Sequence, residues 1–484
     1  MCTFSRRQEL CHSLNMALRF LSNSKQLLAI RNAHAFAPNS ADVLSSSNVT
    51  ESTTLKNGIK VAVNNNGRPM TTVGVWIDSG SRYETEENNG VANLVEHLLY
   101  KGTNKRSQVQ LETELGKIGA RLSSVTSREH TAYFAQAPSG KVEQVVEILA
   151  DVLRNSKFSE SNIEKEKQIL LNKLDEVEND YQEVVFDNLH ATAFQGTPLA
   201  KSIYGTTETI QNLSRNDVLN FIDDHYKPVR MAISAVGGVN TDTIVNLSEK
   251  YFGDLKNEYK RKIPNNYGTR FTGSEYRYRN DYIPYMYGAY AVEGVGASSK
   301  DALPLKIASS CVGQWDKTYG ALQNSPSTLI QKMSTKGHIQ LFNSFSINYR
   351  DTGLFGFYFV HEGNDLDDVT NAVRVIQREW KRICTSATED DFHRAKQALK
   401  TQIFTSYATS LGLAEKNAKD LLNKGEVQQL SDLMNEINQI SCETIRDAVT
   451  RNVYDRDFAS AAVGKTEAWP DYQHIRYGMS WWRL

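Results

Sequence analysis

Cysteine is scarce in this chain. The five thiols among 484 residues, Cys2, Cys11, Cys311, Cys384 and Cys442, form no C-x-x-C pair. That argues against a disulfide framework and against haem or iron–sulfur attachment, and it fits a reducing or thiol-neutral compartment. No run of about 18 apolar residues occurs, so no segment reads as a membrane-spanning helix. Neither sign of charge is in excess: 55 Lys and Arg stand against 56 Asp and Glu, a formal net charge of -1, which argues against nucleic acid as a partner. What is present is the composition of a globular chain, 40% hydrophobic and 23% charged, and the length predicts two or more domains.

Charge is unevenly placed along the chain. The first fifty residues carry Arg6, Arg7, Arg19, Lys25 and Arg31 against Glu9 and Asp42 alone. With abundant Ser, Asn and Ala and a basic amphipathic turn at Met16 to Leu21, residues 1–47 read as a mitochondrial transit peptide cut between Asn32 and Ser47. A disordered tail would have the same composition.

Ordered structure is expected from about Thr53. Strand patterns occur at 54–63, around an Asn57-Gly58 turn, at 72–77, and as a pair over 121–137 turning at Ser127-Arg128-Glu129. Helical patterns cover 109–118, 142–153, 161–194, 216–225 and 241–252. The texture breaks over 257–272, where basic residues and Pro264 interrupt the periodicity, and this segment reads as a linker. The order of elements then repeats. Tyr287 to Gly294 takes the place of Val73 to Gly80, a helix follows from Ala302, a strand pair covers 340–360, and long helices cover 365–384 and 390–406. Aligning Ala235-Val236-Gly237 on Ala462-Val463-Gly464 sets the halves 227 residues apart. The expected fold class is α+β, with two related α/β-sandwich domains facing each other, 48–256 and 273–484.

The chemistry concentrates in Gly90 to Thr103. Val91, Leu94, Val95, Leu98 and Leu99 recur at helical spacing, which leaves Glu96 and His97 as polar residues in an apolar helix. Position 93 lies one turn before His97 on the same face; a His there would complete H-x-x-E-H, two imidazoles for zinc and a Glu as general base. The residue is Asn93. A third ligand would have to come from elsewhere, and the next long helix offers an inward stripe of Glu166, Leu170, Lys173 and Val177. His130 and His190 sit on apolar stretches and read as core histidines, and Cys311 as a small core hydrophobe. The terminal aromatics Tyr477, Trp481 and Trp482 fit a core or a partner contact equally.

Several stretches resemble the pitrilysin-type (inverzincin) peptidase family, in its mitochondrial branch: Glu96-His97-Leu98-Leu99-Tyr100-Lys101-Gly102-Thr103, Glu176-Val177-Glu178, Val184 through Leu199, Gln314-Trp315-Asp316, and Pro470-Asp471-Tyr472 through Leu484. The resemblance covers roughly residues 50 to 484 and is weaker over 406–430 and in the segment after Asp316. It implies a clam-shell of two peptidase-like domains. It places the family's zinc ligands on Asn93, His97 and Lys173 and its base on Glu96. Glu96 and His97 match; Asn93 and Lys173 do not, and a carboxamide and an ammonium are poor company for a dication. Lys173 would instead supply the missing charge by pairing with Glu96 or Glu166.

The implied function is a non-catalytic core subunit of ubiquinol–cytochrome c reductase on the matrix side of the mitochondrial inner membrane. It would have no cofactor of its own. Its partners would be a core protein 2-like subunit and the cytochrome b, cytochrome c-type and iron–sulfur subunits of a dimeric complex, and it would touch the membrane only through them. The alternative is a processing-peptidase β subunit that uses zinc to remove presequences. A third reading, a non-cleaving chamber for presequences, requires an acidic interior.

Overall fold

The computed structural model describes residues 49–259, 268–319, 324–325, 327–336, 339–363 and 366–480 of the chain. The proposed transit peptide, part of the linker and the Trp481-Trp482 pair lie outside the described residues. Residues from Val49 onward group as one compact unit.

Two six-stranded sheets organise it. The first contains β1 (Glu51–Thr54), β2 (Lys60–Asn65), β3 (Met70–Ile77), β4 (Arg121–Thr126), β5 (Thr131–Pro138) and β6 (Met231–Gly237), in the order β1-β2-β6-β3-β5-β4. The second contains β7 (Glu275–Arg279), β8 (Met286–Val295), β9 (Gln314–Asp316), β10 (Ile339–Asn348), β11 (Thr352–His361) and β12 (Phe458–Gly464), in the order β7-β12-β8-β11-β10-β9. Five strands of each sheet correspond: β2-β6-β3-β5-β4 matches β7-β12-β8-β11-β10. In both runs the first pair is parallel and every other pair antiparallel. Neither sheet closes into a barrel.

The 227-residue offset holds along the whole of β6 and β12. The expected equivalence of Tyr287 with Val73 is one residue out. Val236 faces Thr72 and Val463 faces Tyr287, so Tyr287 corresponds to Thr72. A strand buried on both faces has no alternation to fix its register, and β3 is buried from Thr71 to Ile77.

The expected helix over 161–194 is two helices. With α1 as Val91–Leu98, α2 runs Glu160–Val177 and α3 runs Tyr181–Ala193. The Asp180 side chain caps α3 by accepting from the Gln182 and Glu183 amides, which stops one helix and starts the next. The break lets α3 leave the first sheet. Val185, Leu189, Ala193 and Phe194 pack on Ala289, Ala291, Ala459, Ala461 and Val463 of the second. The exchange is reciprocal. The weakly matching 406–430 stretch contains α4 (Ser410–Asn423), whose Ala414, Ala418 and Leu421 lie on Ala62, Trp76, Ala132, Phe134, Ala232 and Val236 of the first sheet. Alanines on both surfaces allow each helix a close approach, and each half thereby completes the other's core.

Candidate functional site: a degenerate metal centre and a charged clasp

The α1 helix is positioned from its first turn. Gly90 has φ 94°, open only to glycine at little cost, and an added Cβ would meet the Tyr204 carbonyl oxygen at 2.9 Å. Buried Glu84 supplies the cap: its carboxylate accepts from the Gly90 amide at 2.8 Å, the Ala92 amide at 2.8 Å and the Asn89 side chain at 2.7 Å. Burial pushes this carboxyl up to about 7, against the lowering effect of those three donors. Val91, Leu94, Val95 and Leu98 then fix the helix in the first core.

Asn93 is 2% exposed, and its amide nitrogen has no hydrogen-bond partner. His97, one turn on, turns Nδ1 towards Glu166 Oε2 of α2 at 3.5 Å. The other Glu166 oxygen receives the Lys101 ammonium at 2.9 Å. Glu166 itself is buried, 3% exposed. Burial first, and the Lys173 charge second, hold the imidazole below its ordinary value. Glu96 is half-buried on the same helix.

The expected pairing of Lys173 with Glu96 or Glu166 does not form. Its ammonium lies 5.2 Å from the Tyr204 ring centroid, a cation–π arrangement. The reason is helical geometry: Lys173 is seven residues beyond Glu166, roughly 10 Å along α2. Lys101 lies just past the end of α1 and reaches Glu166 from there. Lys101 was visible in the Tyr100-Lys101-Gly102 motif; what the sequence did not show was that it, and not Lys173, would meet the buried acid.

These residues do not suit zinc. A catalytic site needs three protein donors, and the positions concerned present one imidazole, one amide whose unpartnered atom is a donor, and one ammonium. Among the described residues no group of three or more His, Cys, Asp or Glu is placed to hold a metal ion.

Of the other residues singled out, His190 is satisfied, with Nδ1 at 2.6 Å from the Phe186 carbonyl and Nε2 at 2.7 Å from the Tyr349 hydroxyl. His130 is buried, but its Nδ1 makes no hydrogen bond; Asp78 is 3.9 Å away. Burial pushes the half-buried Cys311 thiol up to about 12, far from nucleophilic. Tyr477 is exposed.

A second cluster joins the tips of two equivalent hairpins, β4–β5 and β10–β11. Arg82, 4% exposed, donates to Glu129 Oε1 at 2.6 Å and grips Asp351 with two bonds of 2.8 and 2.7 Å. Glu129 also accepts from the Arg350 amide at 3.0 Å, and the Thr269 hydroxyl donates to Asp351 at 3.1 Å. Asp78 accepts from the Tyr83 hydroxyl at 2.6 Å and lies 3.5 Å from the Arg350 guanidinium. Beside this clasp lies a cavity of about 1480 Å³, lined by Arg82, Glu84, Lys201, Asp224, Arg230 and Arg350 among others. Asn93, Glu96, His97 and Lys173 do not line it. Its walls set six carboxylates against five cations.

Comparison with known proteins fits this architecture. Residues 60–207 match the family model described as insulinase (peptidase family M16), and residues 212–399 match the model described as peptidase M16 inactive domain. The chain is 48% identical over 472 residues to mitochondrial cytochrome b-c1 complex subunit 1 of Caenorhabditis elegans, covering 98% of this chain and 99% of that one. It is 42% identical over 434 residues to the human mitochondrial-processing peptidase subunit beta, covering 90% and 88%. Among solved structures, a chain of complex III2 from Candida albicans with Inz-5 bound matches with a TM-score of 0.78 and 26% identity, over 89% of this chain and 99% of that one.

Proposed function

This chain belongs to the insulinase (M16) peptidase family, and from that premise we propose that it is a non-catalytic core subunit of the mitochondrial ubiquinol–cytochrome c reductase. It supports assembly and electron transport from ubiquinol to cytochrome c. The observation that carries the loss of peptidase function is the pair Asn93 and Lys173, standing where the family's ligands fall. The choice of complex is supported by the higher identity, over nearly the whole length, to a cytochrome b-c1 subunit than to a processing-peptidase subunit.

In this reading residues 1–47 direct the chain into mitochondria, and 48–256 and 273–484 are the two peptidase-like domains joined by 257–272. The protein sits on the matrix face of the inner membrane beside a core protein 2-like subunit and the cytochrome b, cytochrome c-type and iron–sulfur subunits, in a dimeric complex. It contributes no cofactor. Among the described residues no helix is long and apolar enough to cross a membrane; in this reading contact with the bilayer runs through the partners.

Affinity purification of the full-length chain from mitochondrial membranes tests this. Co-purification of b- and c-type haem with the chain, without cleavage of an Arg-rich presequence peptide, is the expected result. Presequence turnover by the purified chain with a partner subunit, together with near-stoichiometric zinc, would overturn it in favour of the processing-peptidase alternative.

A further inference from the structure

The centre lacks ligands, yet the frame that would orient them is intact. Zinc-bound histidines hand their second ring nitrogen to a carboxylate or carbonyl, which fixes the tautomer and turns the other nitrogen to the metal. His97 already has this arrangement, with Nδ1 3.5 Å from Glu166 Oε2 and Nε2 left as the bare nitrogen. Lys101 holds the orienting carboxylate in place from its other oxygen at 2.9 Å. Asn93 is buried one turn away, with an amide nitrogen that nothing satisfies. Lys173 holds its ammonium 5.2 Å from the Tyr204 ring centroid and forms no ion pair among the described residues.

We propose that zinc is excluded here by two side chains alone, Asn93 and Lys173, on a helix pair that still has the spacing and the orienting carboxylate of a metal site. Replacing both therefore creates a zinc position without rebuilding the fold. A lysine at position 173 repels a dication, and a neutral carboxamide at position 93 is a poor zinc ligand; the remaining imidazole is not enough. The proposal rests on the reading of the centre as degenerate, but it makes a separate claim about the scaffold.

The test measures zinc per chain in the purified native protein and in the Asn93→His/Lys173→Glu variant after equilibration with zinc and gel filtration. The native chain is expected to retain less than about 0.1 zinc and the variant about one. Cobalt substitution of the variant should give the visible absorption of a four-coordinate site. If the native chain retains about one zinc, exclusion is refuted. If the variant folds, by circular dichroism, and stays metal-free, the intact frame is refuted. Should that variant not fold, Asn93→His/Lys173→Gln takes its place, since it adds one imidazole and replaces the repelling ammonium by a neutral group without a new acid. It is expected to bind zinc at least about tenfold more tightly than the native chain, and equal affinity refutes the proposal. Neither result alters which proteins co-purify with the native chain, so failure here and failure of the core-subunit reading are distinguishable.

Discussion

Arg82 offers the sharpest perturbation, because it bonds to both hairpin tips, at Glu129 and Asp351. Consider Arg82→Met, which keeps the apolar stem and removes three hydrogen bonds. Two of the lost bonds go to Asp351, whose side chain is 38% exposed, so water replaces them at small net cost. The third goes to Glu129, whose side chain is 7% exposed, and there water cannot substitute. Removing one partner of a buried ion pair costs about 3–5 kcal/mol, chiefly from the charge left behind, and Glu129 keeps only the Arg350 amide in compensation. Glu129 already has its carboxyl raised by burial. Without Arg82 it rises further, and the residue can shed its penalty by taking up a proton.

The deficit of Arg82→Met should therefore depend on pH. A carboxyl with a raised folded-state pKa stabilises the fold while protonated and loses that contribution as pH rises, so the variant should suffer more at pH 8 than at pH 5.5. Urea unfolding followed by tryptophan fluorescence, at both pH values and for native, Arg82→Met, Glu129→Gln and the double variant, reads this directly. Glu129→Gln should recover at least about 2 kcal/mol in the Met background, because it neutralises the stranded charge. Asp351→Asn alone should cost about 1 kcal/mol or less. A cost below about 1 kcal/mol for Arg82→Met, or no rescue by Glu129→Gln, would show that the clasp does not carry the energy assigned to it.

Two further outcomes follow from the same neighbourhood. His130 is pushed down to about 4 by burial and Glu84 up to about 7, so their linkages have opposite sign. The stability difference between native and His130→Asn should grow as pH rises from about 4 to 6.5, and that between native and Glu84→Gln should shrink from about 4.5 to 7. Each slope is up to about 1.4 kcal/mol per pH unit; slopes of one sign in denaturation curves across this range would contradict the burial argument. Gly80→Ala should cost about 1–3 kcal/mol and speed amide exchange at the β4–β5 tip. A Cβ there would stand 2.3 Å from the Ser127 carbonyl oxygen and 2.5 Å from that of Arg128, and unchanged stability in thermal melts would refute the clash.

The repeated order of strands was legible because β6 and β12 carry matching apolar runs bounded by glycine, and the two hairpins carry turn residues between alternating segments. The slip at Tyr287 was not, since continuous burial removes the alternation that marks a face. Nor was the break before α3, because Glu178, Asn179 and Asp180 are compatible with a helix until the Asp180 cap is seen. β9, three residues long, is too short to show a period. At the centre, the spacing of Asn93, Glu96 and His97 placed all three on one helix as expected. The clasp could not be read at all: Arg82 and Asp351 are 269 residues apart, and nothing local marks either as a partner of the other.

The α1 helix explains how a peptidase frame can outlive its metal. Its start is held by Glu84 and Gly90, its length by Val91, Leu94, Val95 and Leu98 in the first core, and its junction with α2 by Lys101, Glu166 and His97. Of these anchors only His97 is a zinc ligand in the family pattern, and it is retained, so exchanging positions 93 and 173 leaves the supports of the helix in place. Each half also borrows a helix from the other, α3 on the second sheet and α4 on the first, and the hairpin tips are cross-bonded through Arg82. Stability is thus distributed over contacts remote from the centre. A chain built this way can exchange the side chains at positions 93 and 173 and keep both sheets and the helices that complete them.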